Sequence, residues 1–254
     1  MINLRKYSLF ILLLMLAFFA NGQYKKPVKL NDPDYELGKR LRFGFSIGIN
    51  AMDFKIKNGE GIEISKDLQD TTQFFADVSH ITPGFNVNAI VDYRLGENFH
   101  LRFLPGYAFG QRNLNFFYPE DNLERQMKIE SSFIELPLGL KYSADRINNV
   151  RPYLLAGGNF RIDLATYKKL NVDEGVLLRL VKGDAYYEIG FGTDFFLEYF
   201  KFSIEFKYSV GLRNVLSTNN AKNVSTDSQI NVENYVQSIK KINSQIFIVA
   251  FHFE

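Results

Sequence analysis

The chain has 254 residues, with 30 Lys and Arg against 28 Asp and Glu, 25 Phe, 14 Tyr, no Trp and no Cys. The lack of Cys excludes disulfides, thiolate metal sites, Cys nucleophiles and an N-terminal lipoprotein anchor. The near balance of charge argues against a nucleic-acid partner.

Residues 1–22 have a basic start (Arg5, Lys6), an apolar run from Leu9 to Phe19, and Ala20-Asn21-Gly22 ahead of Gln23. That order predicts a secretory signal peptide, because the apolar run is too short for a membrane anchor and a small-residue cleavage site follows. Its removal takes away two bases and leaves 28 Lys and Arg against 28 Asp and Glu. Residues 23–40 are polar and contain Pro, and predict a flexible periplasmic lead-in. No later stretch is apolar enough for a transmembrane helix.

From Leu41 to Glu254 the chain alternates with period two, the signature of strands with two unlike faces. The first predicted strand sets Leu41, Phe43, Phe45, Ile47, Ile49 and Ala51 against Arg42, Gly44, Ser46, Gly48 and Asn50. The second, about 81–95, sets Phe85, Val87, Ala89, Val91 and Tyr93 against Asn86, Asn88, Asp92 and Arg94. The third, about 99–110, sets Phe99, Leu101 and Phe103 against His100 and Arg102. The fourth, from near Lys128, contains Phe133 to Tyr142, in which Ile134, Leu136, Leu138 and Leu140 alternate with Glu135, Pro137, Gly139 and Lys141.

Four more strands follow, carrying inward Arg161 and Asp163, then Glu188 and Asp194, then Lys201, Glu205 and Lys207, and finally His252. Short links join strands two and three, four and five, and six and seven. The other four links, roughly 54–79, 113–127, 167–183 and 214–240, are long, polar and turn-rich, as exposed loops are.

Three features turn the apolar faces outward to lipid rather than inward to a lipocalin-like core. The runs are about 10 to 14 residues long, near the length of a tilted membrane strand and beyond the usual globular strand. The apolar faces are free of charge and crowded with Phe and Tyr, too bulky for the narrow interior of an eight-stranded barrel. Short turns at one end and long loops at the other are the arrangement of outer-membrane barrels. The fold class is therefore all-β: an eight-stranded antiparallel transmembrane β-barrel over 41–254, with short periplasmic turns and four long extracellular loops, in the cell outer membrane. Aromatics then fall into two girdles, Tyr93, Phe99, Tyr142, Phe195, Tyr199, Phe200 and Phe253 below and Phe54, Phe109, Phe116, Phe117, Tyr118 and Tyr167 above.

The inward charges nearly balance. Arg42, Arg94, Arg102, Lys141, Arg161, Lys207 and Arg213 face Asp92, Glu135, Asp163, Glu188, Asp194 and Glu205, and buried ions need partners. These residues predict a structural salt-bridge network that fills the lumen; eight strands leave little width for a pore. His80, with Ser79 and Asp77, is the one grouping that resembles a hydrolase site, and three neighbours in sequence read better as a polar loop. No Gly-rich phosphate loop, metal-spaced His cluster or regular Ca²⁺ ligand spacing occurs, so the expectation is no catalytic residue, no metal, no cofactor and no small-molecule substrate.

The first-strand motif F-G-x-x-x-G-x-N (Phe43 to Asn50), F-x-x-L-P-L-x-L-K-Y (Phe133 to Tyr142) and R-P-Y-L-x-x-G (Arg151 to Gly157) resemble the PorT family of outer-membrane barrels of Bacteroidota. The likeness covers nearly all of the mature chain; the last two motifs also occur in a wider set of such barrels. The resemblance implies a part in type IX protein secretion and, in gliding species, in motility. It supplies no catalytic residues, and its implied partners are outer-membrane lipid and other secretion-system subunits. A stand-alone structural or adhesive barrel is the alternative, and a barrel enzyme the third reading.

Overall fold

The computed structural model describes residues 30–32, 35, 38–58, 75–77, 82–117, 124–165, 180–217 and 239–254. Ten strands form one sheet: β1 (Leu41–Asn58), β2 (Phe75–Asp77), β3 (Pro83–Arg94), β4 (Phe99–Phe103), β5 (Gly106–Phe117), β6 (Glu124–Ser143), β7 (Val150–Asp163), β8 (Gly183–Phe196), β9 (Lys201–Gly211) and β10 (Ile239–Phe253). All pairings are antiparallel, and β1 pairs with both β10 and β3, which closes the sheet into a ring. Closure leaves no open edge inside the ring, the condition for crossing a membrane with strands.

Eight spans make the ring, because β4 and β5 are one span broken at Leu104-Pro105, and both pair with β3 and β6. Pro105 has no N–H to donate to the ladder, consistent with the break where it stands. The ladder is bridged there by Ala89 N donating to Pro105 O and Leu104 N to Pro137 O. The short strand β2 adds to β5 outside the ring count, with Phe75 opposite Phe117.

Burial is inverted relative to a soluble barrel. Phe43, Phe191 and Ile49 are 67 %, 59 % and 57 % exposed, whereas Arg102 and Arg161 are 0 % exposed. An uninterrupted apolar exterior around a charged interior fits a lipid solvent and not water. On β1 the apolar outward row runs from Leu41 to Ala51, near the ~9–11 residues needed to span the hydrocarbon core.

Both ends of the ring's chain meet the short links. Phe45 lies opposite Phe253, Leu41 opposite Tyr93, and the links 95–98, 144–149 and 197–200 close hairpins at that end. In the 144–149 link Asn148 has φ 55°, a left-handed conformation that Asn tolerates better than most residues, and Ile147 and Val150 exchange backbone hydrogen bonds across it.

Two expectations about the long-loop end change. The stretch 113–127 is mostly strand: β5 and β6 stay in register from Gly106 opposite Glu135 up to Phe117 opposite Glu124, leaving only 118–123 as the link. Strand pairing continues through 111–117, so the polar residues there belong to a ladder rather than to a loop. Arg213, expected in the lumen, is exposed beyond the end of β9 at Gly211, because the strand stops before it.

Candidate functional site in the barrel lumen

Inward positions recur every second residue, so each strand delivers several polar side chains to one narrow interior. Nearest the short turns, Asp92 accepts from His100 Nδ1 at 2.7 Å and Arg102 Nε at 3.0 Å. Arg102 also donates to Glu254 Oε1 at 2.7 Å, and Lys201 donates to Glu254 Oε2 at 2.7 Å. Lys141 Nζ donates to both Asp194 oxygens, at 2.9 and 2.7 Å, and Ser203 donates to Asp194 Oδ1 at 2.6 Å. Every charge in this layer is neutralised by a direct partner, the condition under which buried ions are tolerable.

A second layer lies farther along the strands. Arg161 donates to Glu135 Oε1 at 2.5 Å, to Glu188 Oε1 at 2.9 Å and to Ser209 Oγ at 2.8 Å. Lys207 Nζ is 3.3 Å from Glu188 and 4.0 Å from Glu205, which links the layers because Glu205 lies 3.9 Å from Arg102 Nη1; Glu205 also accepts from Tyr153 Oη at 2.9 Å. Beyond it Arg112 donates to Ser244 at 2.9 Å and to Ser131, and stands 3.8 Å from Asp163.

Apolar packing completes the interior. Met52, Ala108, Phe133, Tyr186, Ile246, Ile248 and Ala250 form one buried cluster. Phe54, expected in the upper girdle, is buried and lies 4.1 Å under the Arg112 guanidinium. Its place follows from phase, since it shares the inward parity of Ser46, Asn50 and Met52; the girdle assignment took it for the start of a loop. Two glycines show how tightly the lumen is filled: a Cβ on Gly192 would meet Tyr153 Oη at 2.5 Å, and one on Gly48 would meet Asn86 Oδ1 at 2.4 Å.

Of the thirteen charges singled out in the sequence, Asp92, Arg102, Glu135, Lys141, Arg161, Asp163, Glu188, Asp194, Glu205 and Lys207 are all buried and joined as described, and Arg213 lies beyond β9. Arg42 and Arg94 are half-buried near the short-turn end. Lys201, Arg112, Glu254 and Tyr35 complete the arrangement and were not in that set. Strand parity already places Lys201, Glu254 and Arg112 inward; Tyr35 has no such signal, because it precedes the first strand. His80 and Ser79 lie outside the described residues, as do Tyr118 and Tyr167.

Tyr35 closes the mouth at the short-turn end. It is buried, with its hydroxyl accepting from Lys201 Nζ at 2.9 Å, its ring 5.0 Å from Phe196 and 6.0 Å from His100, and Arg42 4.4 Å above it. Burial pushes its phenol well above the ordinary tyrosine range, with Lys201 opposing the shift. Asn31 fixes the approach, donating from its backbone to Asn149 Oδ1 at 2.9 Å and accepting at its carbonyl from Arg146. Asn31 and Tyr35 of the lead-in are therefore seated on the barrel. Among the described residues no group of three or more His, Asp or Glu side chains is arranged to hold a metal ion.

A family model described as an outer membrane protein β-barrel domain matches residues 20–217. Among solved structures, the outer membrane protein OprG from Pseudomonas aeruginosa is similar at 11 % identity and a TM-score of 0.41, covering 84 % of this chain and 93 % of that one. Neisserial surface protein A is similar at 10 % identity and a TM-score of 0.41, covering 84 % and 98 %. The attachment invasion locus protein Ail of Yersinia pestis is similar at 12 % identity and a TM-score of 0.33, covering 83 % and 96 %. A search of curated proteins finds no match.

Proposed function

The chain belongs to the outer membrane protein β-barrel domain family and resides in the outer membrane, and from that premise we propose that it is a non-enzymatic accessory or structural component of type IX protein secretion. The observation that carries this reading is the filled lumen. Ion pairs run through it from Glu254 to Arg112, and side chains press against Gly48 and Gly192, so the barrel has no room to pass a protein. A barrel of this kind acts by what docks on it. The L-P-L-x-L-K-Y and R-P-Y-L-x-x-G elements support the link to secretion through their resemblance to the PorT family. The partners proposed are other subunits of the secretion system, engaged through the periplasmic turns, the loops or the lead-in.

The test is deletion of the gene followed by assay of type IX secreted proteins in the medium and, in a gliding host, of colony spreading. Loss of secretion restored by the wild-type chain is expected, and secretion at the parental level removes the proposal. A stand-alone structural or adhesive barrel is the second reading, supported by the sheet that β1, β5, β6 and β10 build beyond the lipid-facing rows. It calls for normal secretion with altered surface adhesion in the same strain.

A further inference from the structure

Among the described residues, the two ends of the barrel differ in charge. The exposed ionic side chains at the short-turn end are mixed: Lys39 and Arg40 with Glu97, Asp145 and Glu198. At the opposite end they are Lys55, Lys57, Lys128, Lys182, Arg213, Lys240 and Lys241, against Glu130 alone. The basic side is the one that the family arrangement turns to the cell exterior.

The register shows how these cations are placed. On the outward face of β1 and β10 the last apolar row is Ala51 opposite Phe247; then come Asp53 opposite Gln245, Lys55 opposite Asn243 and Lys57 opposite Lys241. Like charges directly opposed across antiparallel strands repel. Lys57 and Lys241 are such a pair, with Lys55 two positions away on the same face and Lys240 beside them, where the register shifts. Asp53, the acid on this face, has Oδ1 engaged by Phe54 N. At ~3.4 Å per residue and a tilt of ~45°, the backbones of Lys55 and Lys57 stand about 10 and 14 Å beyond the last apolar row. Lysine stems bend back toward an apolar boundary while their ammonium groups stay in the polar layer. The cations thus point at the headgroup layer of the outer leaflet.

We propose that Lys55, Lys57 and Lys241 form a site for the phosphate groups of a phosphorylated glycolipid in the outer leaflet, with Lys240 and Arg213 flanking it. A phosphate between Lys57 and Lys241 turns their repulsion into two attractions. The position beside the lipid-facing rows favours a headgroup over a soluble anion. An ammonium is a compact point charge suited to phosphate without bidentate geometry.

The test uses the full chain, purified folded in detergent, with heat-modifiable gel mobility as the check on fold. Binding of diphosphoryl lipid A, its dephosphorylated form and inositol hexakisphosphate is compared for the wild type, the Lys55→Gln/Lys57→Gln/Lys241→Gln variant and the matching Lys→Arg variant. The expected result is diphosphoryl lipid A binding weakened about tenfold or more in the Gln variant and kept in the Arg variant, since each rim cation contributes comparably. Binding should also weaken as salt rises from about 0.05 to 0.5 M, where screening shortens below ~10 Å. If the triple variant does not fold, Lys57→Gln alone replaces it and should still weaken binding by about threefold. Equal affinity of wild type and Gln variant overturns the proposal, as does binding indifferent to the phosphates. Inositol hexakisphosphate binding as tightly as the lipid overturns the lipid source.

Discussion

Arg161 stands where the barrel interior is least forgiving. It has no exposed surface, and its guanidinium satisfies Glu135, Glu188 and Ser209 together. Replacing it with Met keeps the bulk, takes away the cation paired with Glu135 and leaves Glu188 with Lys207 in a buried interior. Breaking a buried pair from one side costs about 3–5 kcal/mol, whereas replacing all partners by neutral groups is far milder. Urea unfolding of the refolded barrel should therefore show Arg161→Met destabilised by about that amount, with much of the loss recovered when Glu135→Gln and Glu188→Gln are added. Equal stability of Arg161→Met and wild type would show the lumen to be wetter than its packing implies. These partners were readable from parity, because Glu135, Arg161 and Glu188 each share phase with the polar face of their strand. Their pairing was not, because it depends on shear around the ring, which no single strand encodes.

The lead-in illustrates an element whose role the sequence concealed. Residues 23–40 have no period and no apolar run, which reads as a flexible tether, yet Asn31 and Tyr35 are held by contacts more than a hundred residues away in the chain. Such contacts leave no local signature. Two substitutions separate ring from hydroxyl. Tyr35→Phe keeps the faces against Phe196 and His100 and loses the Lys201 bond, which for a charged donor is worth about 1.5–3 kcal/mol. Tyr35→Ala loses both. Amide hydrogen exchange over 31–40 should rise moderately in Tyr35→Phe and most in Tyr35→Ala, with the strand ladders unchanged. Exchange in Tyr35→Ala as slow as in the wild type would show that Asn31 and Arg146 alone hold the segment. The same kind of misreading, a boundary judged from composition, placed Phe54 outside the barrel and 113–127 in a loop; at the ends of strands polar residues continue the ladder above the lipid, and only register distinguishes them from loop.

For the molecule as a whole, alternation over eight spans showed two unlike faces per strand, and the length of the runs, their load of Phe and Tyr and the asymmetry of turns and loops chose lipid over a soluble core. The consequence for function lies in the filling. A water path along the axis would have to pass Tyr35 at the mouth, the Asp92–Arg102–Glu254–Lys201 layer, the Glu135–Arg161–Glu188 layer and the apolar cluster around Phe133 and Ile246. The ionic layers are held by direct bonds that a passing ion must break, and the apolar cluster disfavours water on its own. Obstacles in series do not yield to the loss of one. Reconstituted in planar bilayers, the wild-type chain is therefore expected to show no stepwise conductance, and Tyr35→Ala is expected to remain silent as well, although its mouth is open. Regular channel openings in the wild type would contradict the filled lumen and with it the argument that this barrel works through docking. Openings confined to Tyr35→Ala would instead make the lead-in the one true seal, and would require the inner layers to rearrange whenever it leaves.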